Sequence, residues 1–253
     1  MTGPASDHPI PTRPLLSVSG LQKHFRLKGG SASVVRAVDD LSFAVRAGET
    51  LGIVGESGCG KSTAARLVMN LIPPDKGSIA LDGREVGSPG GPGIGDLRKQ
   101  VQMVFQDSYA TLNPRLSIED TITFGPKAQG RGRAEAKARA HEALDLVGLP
   151  PERFAQRYPH ELSGGQRQRA NIARALAMRP RVLILDESVS ALDKSVEAQV
   201  LNLLADLRAR LSLTYLFISH DLGVVRYISD RVMVMYLGKV VEIGPVEAVY
   251  ETP

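Results

Sequence analysis

The chain has 253 residues, is 43% hydrophobic and carries a formal net charge of +4, which suits one large globular domain or two small ones. No apolar run approaches the ~20 residues that a membrane helix needs, and a single cysteine, Cys59, excludes an internal disulfide and fits a reducing cytoplasm. The mild basic excess (pI ≈ 9.3) is spread along the chain and reads as a solvated surface, so no nucleic-acid partner is expected.

The opening MTGPASDHPIPTRP has no hydrophobic signal core, and residues 1–14 read as a loose tail. LLSVSGLQKHFRL and SVVRAVDDLSFAVRAGE then alternate apolar and polar residues, as half-buried antiparallel strands do. TLGIVG (Thr50 to Gly55) predicts a buried strand, followed by a helix from Lys61 to about Leu71. GSIALDG and VQMVFQD read as strands, separated by a surface loop over Gly87 to Gly95. Between about Ser117 and Met178 strand signals vanish and helical periodicity takes over. Strand and helix alternate again from RVLILD, through a helix over Lys194 to Leu211 and LTYLFISH, to RVMVMYLGKVVEIG. That helix carries Val196, Val200, Leu203, Leu204, Leu207 and Leu211 on one stripe, placing it against the sheet. The pattern is an α/β core with a parallel sheet and a helical insertion.

GESGCGKST (Gly55, Glu56, Ser57, Gly58, Cys59, Gly60, Lys61, Ser62, Thr63) fits G-x-x-x-x-G-K-[ST] between a strand and a helix, the context that a phosphate loop requires. Glycine lets the backbone wrap phosphates with N–H groups, and a side chain at Gly58 or Gly60 is expected to obstruct them. Lys61 supplies a point charge, and the Ser62 hydroxyl is a ligand for Mg²⁺. Asp186 ends the apolar run VLIL, where a carboxylate can hold Mg²⁺ through water. A second carboxylate beside it, Glu187, costs repulsion, and a base that orients or deprotonates an attacking water is a reason to keep it. His220 and Gln106 also fall at strand ends; the first can contact a γ-phosphate, and the second can reach Mg²⁺ or water, or simply cap a loop. A second glycine-rich turn, ELSGGQRQR (Glu161 to Arg169), opens another helix and offers another anion site.

With those residues in place, the sequence resembles the nucleotide-binding subunit of an ATP-binding cassette (ABC) transporter from about Leu15 to Pro253. The motifs stand in that family's order: Walker A at GESGCGKS, the Q-loop at Gln106, the signature LSGGQ at Leu162–Gln166, Walker B at VLILDE, the D-loop SALD at Ser190–Asp193 and the H-loop at His220. The resemblance implies a P-loop NTPase (RecA-like) core with an N-terminal antiparallel β subdomain, over 15–106 and 179–253, and an inserted helical subdomain at about 107–178. It also implies ATP with Mg²⁺, the latter held by Ser62, Gln106 and Asp186. Glu187, His220 and Gln106 take the catalytic roles, and Phe25 matches the family's adenine-stacking aromatic.

In that family two such domains face each other head to tail, so the resemblance implies that Ser163, Gly164, Gly165 and Gln166, with Asp193 of the D-loop, meet ATP held by a partner ATP-binding subunit. Two anion-binding turns on one domain suit such a shared site. QDSYATLNPRLSI, YPHELSGGQRQR and SVSALDKSVEAQVLNLLADLR are similar to the bacterial oligopeptide, dipeptide and nickel importer subfamily. That implies a peripheral protein at the cytoplasmic face of the inner membrane, with transmembrane permease subunits as partners and, indirectly, an extracytoplasmic solute-binding protein. Ser108 to Leu116 is then the expected surface facing the permease. Members of the subfamily often continue into an HPYT-containing tail, whereas this sequence ends at YETP, and DES stands where DEP or DEA is commoner. The alternative, a soluble relative acting on nucleic acid or ribosomes, usually carries long coiled coils or two fused cassettes, which this sequence lacks.

Overall fold

Runs of consecutive apolar residues form strands buried on both faces, and these build the centre of the molecule. A computed structural model describes residues 13–26, 34–107 and 110–252. The strands are β1 (Leu16–Arg26), β2 (Val34–Val45), β3 (Thr50–Gly55), β4 (Lys76–Leu81), β5 (Arg84–Glu85), β6 (Val101–Val104), β7 (Val182–Asp186), β8 (Thr214–Ile218), β9 (Arg231–Tyr236) and β10 (Lys239–Pro245). The helices are α1 (Lys61–Val68), α2 (Ile94–Gln100), α3 (Ile118–Ala128), α4 (Arg133–Leu146), α5 (Pro151–Phe154), α6 (Gly164–Leu176), α7 (Lys194–Leu211), α8 (Leu222–Ile228) and α9 (Val246–Glu251).

A six-stranded sheet runs in the order β10-β9-β3-β8-β7-β6. Its ladders are parallel from β9 through to β6, with β10 antiparallel on the edge. Side chains alternate across it with the period of a strand: Leu183, Leu185, Tyr215 and Phe217 enter one core, and Val182, Ile184, Leu216 and Ile218 the other. The first core is shared with α3, α4, α6, α7 and α8. The second is shared with α1, α2 and an antiparallel sheet of order β2-β1-β4-β5.

Alanines let the helices between β6 and β7 approach closely: Ala136, Ala140 and Ala143 of α4 and Ala170, Ala173 and Ala175 of α6 are all buried. Ser117 and Ser163 cap α3 and α6 by accepting from the N–H groups of Asp120 and Gln166.

Some elements depart from expectation at their ends. Helix α1 stops at Val68, because Asn70 turns left-handed (φ 49) and Leu71 N–H bonds back to the Arg66 carbonyl. The loop expected up to Gly95 yields to α2 at Ile94, where the Asp96 carboxylate accepts from the Gly93 N–H. On α7, Leu201 is buried while Leu211, placed on the expected stripe, is exposed. The expected tail lies outside the described residues up to position 12.

Candidate functional site

The loop between β3 and α1 bends through glycines for more than one reason. Gly60 sits at φ +109, and a Cβ there would lie 2.1 Å from the Ala37 carbonyl oxygen; at Gly55 the corresponding approach to the Met235 carbonyl is 2.2 Å. At Gly58 no atom of the described residues lies within 4 Å of the Cβ position, and its left-handed φ of +80 favours glycine. Cys59 is buried, and its carbonyl accepts from the Gly238 N–H at 2.8 Å, so the β9–β10 turn supports the loop.

Lys61 is buried, and its ammonium donates to the carbonyls of Gly55 (2.7 Å) and Glu56 (2.9 Å). Gly60 provides no side-chain cap, and no acid stands in the first turn of α1. The first-turn amides at Lys61, Ser62 and Thr63 therefore sit at the positive end of the helix dipole without intrahelical partners, ready for an anion.

Strand β7 delivers Asp186 beside this loop, and the Ser62 hydroxyl donates to its Oδ1 at 2.9 Å. Burial lifts the Asp186 carboxyl above its ordinary range; the Ser62 bond opposes that and the Glu187 charge adds to it. Glu187 follows in a left-handed conformation (φ 45), with its N–H on the Ile218 carbonyl. Its Oε2 accepts from the Gln106 side-chain amide at 2.8 Å. Nδ1 of His220 lies 3.6 Å from the same oxygen, too far for a hydrogen bond, and the ring is exposed. The loop, Gln106 and Glu187 line one cleft of about 610 Å³.

Val34, Val35 and Arg36 of β2 and Leu237 of the β9–β10 turn also line that cleft, and nothing in their local sequence marks them. Phe25 is not on the wall: it stands directly across the β1–β2 ladder from Val35, half exposed, with the Lys23 ammonium 5.8 Å from its ring centre.

The second glycine turn opens elsewhere. Ser163 and Gln166 close a capping box, Oγ accepting from the Gln166 N–H at 3.3 Å and Oε1 from the Ser163 N–H at 3.1 Å. With Gly165 they line a separate cavity of about 270 Å³ beside Leu149, Phe154 and Val196. A Cβ on Gly165 would meet Val196 Cγ1 at 2.5 Å, so this glycine serves the packing of α6 on α7; at Gly164 the nearest atom is 3.7 Å away. Asp193 is exposed and precedes α7 without capping it. Ser190 Oγ donates to the Glu187 carbonyl at 2.9 Å, folding the Ser190–Asp193 loop toward Glu187. In the segment expected to face a partner, Ser108 and Tyr109 lie outside the described residues.

Comparisons with known proteins bear on the fold and the family. A family model described as ABC transporter matches residues 38–190. The oligopeptide transport ATP-binding protein OppF of Bacillus subtilis (strain 168) is 49% identical over 245 residues, spanning 96% of this chain and 79% of its own. The glutathione import ATP-binding protein GsiA of Pectobacterium atrosepticum is 46% identical over 99% of this chain and 41% of its own. Among solved structures, cbiO1 from Clostridium perfringens, part of the transporter complex cbiONQ, aligns with a TM-score of 0.80 at 29% identity over 95% of this chain and 92% of that one. The ATP-binding cassette MJ0796, as a dimer bound to ADP and Pi, aligns with a TM-score of 0.77 at 28% identity over 91% of this chain and 98% of that one.

Proposed function

This chain belongs to the ABC transporter family, and on that premise we propose that two ATP-binding subunits close head to tail, each nucleotide held between the Lys61 loop of one and the Ser163 turn of the other. The observation that carries this reading is the separation of the two anion-ready turns: each opens onto a cavity that shares no lining residue with the other. One of them is left over after a triphosphate is seated on Lys61, and a facing subunit would use it.

The chain is the ATP-hydrolysing subunit of an ABC importer. Within it we assign residues 15–106 and 179–253 to a core and about 107–178 to a helical subdomain, a division supported by the run α3 to α6 between β6 and β7. Ser62, Asp186 and Gln106 offer the oxygen donors that a hard cation takes, and the hydroxyl–carboxylate pair is already together at 2.9 Å. When bound there, Mg²⁺ would neutralise charge developing on the phosphates.

The first-turn amides of α1 and Lys61 bind the β- and γ-phosphates, the lysine exchanging carbonyl partners for phosphate oxygens. Glu187 takes a proton from, or orients, the attacking water, with Gln106 setting the direction of its carboxylate and His220 approaching the γ-phosphate. Phe25, directly across the ladder from Val35 of the cleft wall, stacks on the adenine of the nucleotide. Asp193 meets the shared site from the facing subunit.

We further assign a peptide-like or nickel-type solute, permease subunits in the membrane and, indirectly, an extracytoplasmic solute-binding protein. The names of the relatives support the peptide-like solute, and the subfamily motifs support the rest. Among the described residues no helix is long and apolar enough to cross a membrane. By its subfamily motifs we assign the chain a peripheral place on the cytoplasmic face of the inner membrane, on its permease. Size-exclusion chromatography of Glu187→Gln tests the central claim. A dimer should form with ATP-Mg²⁺ and revert to monomer without it, and a monomer at saturating ATP-Mg²⁺ would overturn the shared site.

A further inference from the structure

The turn that closes β9 onto β10 consists of Leu237 and Gly238, between the paired Tyr236 and Lys239. Both have positive φ, +46 and +83, as a short hairpin turn that follows the strand twist requires, and such a turn favours Asn, Asp or Gly at its first position. Leucine fits poorly there, because in left-handed backbone its Cβ crowds the following carbonyl. Among the described non-glycine residues with positive φ it is the only apolar one; the others are polar or charged, Glu187 of the cleft included. Burial does not offset the strain: the Leu237 side chain is 69% exposed and belongs to neither hydrophobic core.

What the side chain does is line the cleft of the Lys61 loop, together with Val34 and Val35 of β2, which are half exposed. These are the large exposed apolar residues of a cleft whose polar groups include Lys61, Ser62, Gln106 and Glu187. The tip of the hairpin is fixed, since Gly238 N–H donates to the Cys59 carbonyl and the Gly238 carbonyl accepts from the Asp39 N–H, both at 2.8 Å. The surrounding structure thus holds Leu237 in its strained conformation, and the side chain stands at the cleft before any ligand arrives. Local chemistry that works against the fold is expected where a residue serves a ligand. A nucleoside triphosphate has the matching division: phosphates for the ammonium and the amides, and a nucleoside whose faces take apolar contact.

We infer that Leu237 is a nucleotide-contacting residue that packs on the nucleoside of ATP from the hairpin, and that the strained leucine is kept in the turn for this contact. The inference rests on the reading that the Lys61 loop seats the phosphates. It adds an anchor for the nucleoside on a segment remote in sequence from Phe25. The turn needs only a residue that tolerates positive φ, whereas the ligand needs an apolar one. Stability and affinity should therefore move in opposite directions when Leu237 is replaced.

Thermal melts of the nucleotide-free full chain and isothermal titration with ADP and Mg²⁺, a nucleotide that is not turned over, test it. Leu237→Asn should melt about 3 °C higher than the parent and bind ADP about fivefold or more weakly, as loss of an apolar contact requires. Leu237→Gly should weaken ADP to a similar extent, which separates the lost contact from any effect of the new amide. Leu237→Met, which keeps an apolar side chain of similar volume, should bind within about twofold of the parent. ADP affinity within about twofold of the parent for either Leu237→Asn or Leu237→Gly would overturn the inference. So would a lower melting temperature for Leu237→Asn, since the leucine would then serve the fold, or a loss in Leu237→Met equal to that in Leu237→Asn. Lys61→Ala tells the two failures apart: if it also leaves ADP affinity within about twofold, the phosphate seat itself has failed, and if it alone loses about tenfold or more, only the Leu237 contact has.

Discussion

Ser62 and Asp186 come from opposite ends of the core, yet the hydroxyl donates to the carboxylate at 2.9 Å. Asp186 is 3% exposed, and burial raises its pKa above the ordinary carboxylate value of 3.8. A raised carboxyl pKa means that the folded chain holds the proton more tightly than the unfolded one. The group's contribution to stability is therefore full below pH 3.8 and is lost as pH rises through the raised value. Asp186→Asn, whose amide oxygen can still accept from Ser62, should melt at the same temperature as the parent or about 2 °C higher at pH 7 without nucleotide. That difference should close near pH 4, while hydrolysis falls at least about a hundredfold. Thermal melts across that pH range check it, and a clear loss of melting temperature at pH 7 would contradict it.

The two glycine turns should separate binding from turnover. Lys61→Ala removes a buried ammonium from the phosphate loop and should weaken ATP binding about tenfold or more. Ser163→Arg should abolish hydrolysis while the isolated subunit binds ATP within about twofold of the parent. Titration with a fluorescent nucleotide alongside phosphate release distinguishes the two, and matching defects would remove the division of labour.

Gly60 and Gly58 make a paired test of the loop. Alanine at Gly60 meets both a φ of +109 and the Ala37 carbonyl at 2.1 Å, whereas alanine at Gly58 meets only a φ of +80. Gly60→Ala should cost about 3 kcal/mol or more and Gly58→Ala about 1 kcal/mol, read as urea midpoints of the nucleotide-free protein. Equal losses would mean that crowding against β2 is not the constraint.

Arg181 and Asp82 make a bidentate pair that ties the turn after β4 to the start of β7. The Arg181 hydrogen bond holds the Asp82 carboxyl below its ordinary pKa of 3.8. A lowered pKa has the opposite sign to that of Asp186: the stabilisation is present above pH 3.8 and is lost as pH falls through the lower folded value. Both side chains are nearly half exposed, which limits the pair to about 0.5–1 kcal/mol. Arg181→Gln should therefore melt about 2 °C lower at pH 7, with the gap narrowing toward pH 3 and in high salt.

Strands β3, β7 and β8 were legible because each is a short, mostly apolar run that stops at or just before a polar residue or glycine (Gly55, Asp186 and Ser219), and burial on both faces demands that composition. Helix α7 matched its expected span because its apolar stripe is long, although Leu201 rather than Leu211 is the residue that packs. The encounter of Ser62 with Asp186, and of Gln106 with Glu187, followed from Asp186, Glu187 and Gln106 lying at or just after the ends of neighbouring parallel strands and Ser62 opening the helix that follows a third. What stayed illegible depends on tertiary approach. Val34, Val35 and Leu237 reach the cleft only because β2 and the β9–β10 turn fold over the phosphate loop. Gly165 looks like part of an anion turn, yet its missing side chain is required by Val196 of a helix far along the chain. The end of α1 was set by one asparagine in a left-handed conformation, a choice that helical periodicity does not register.

The β9–β10 turn braces the phosphate loop, with Gly238 N–H on the Cys59 carbonyl and the Gly238 carbonyl receiving the Asp39 N–H, both at 2.8 Å. The stretch recognised by the family model ends at residue 190, well before that brace is made. During synthesis, then, a nascent chain would display both glycine turns and the paired acids before it owned a finished cradle. Competence to grip nucleotide would therefore arrive late, with the hairpin that brings Gly238 against the phosphate loop.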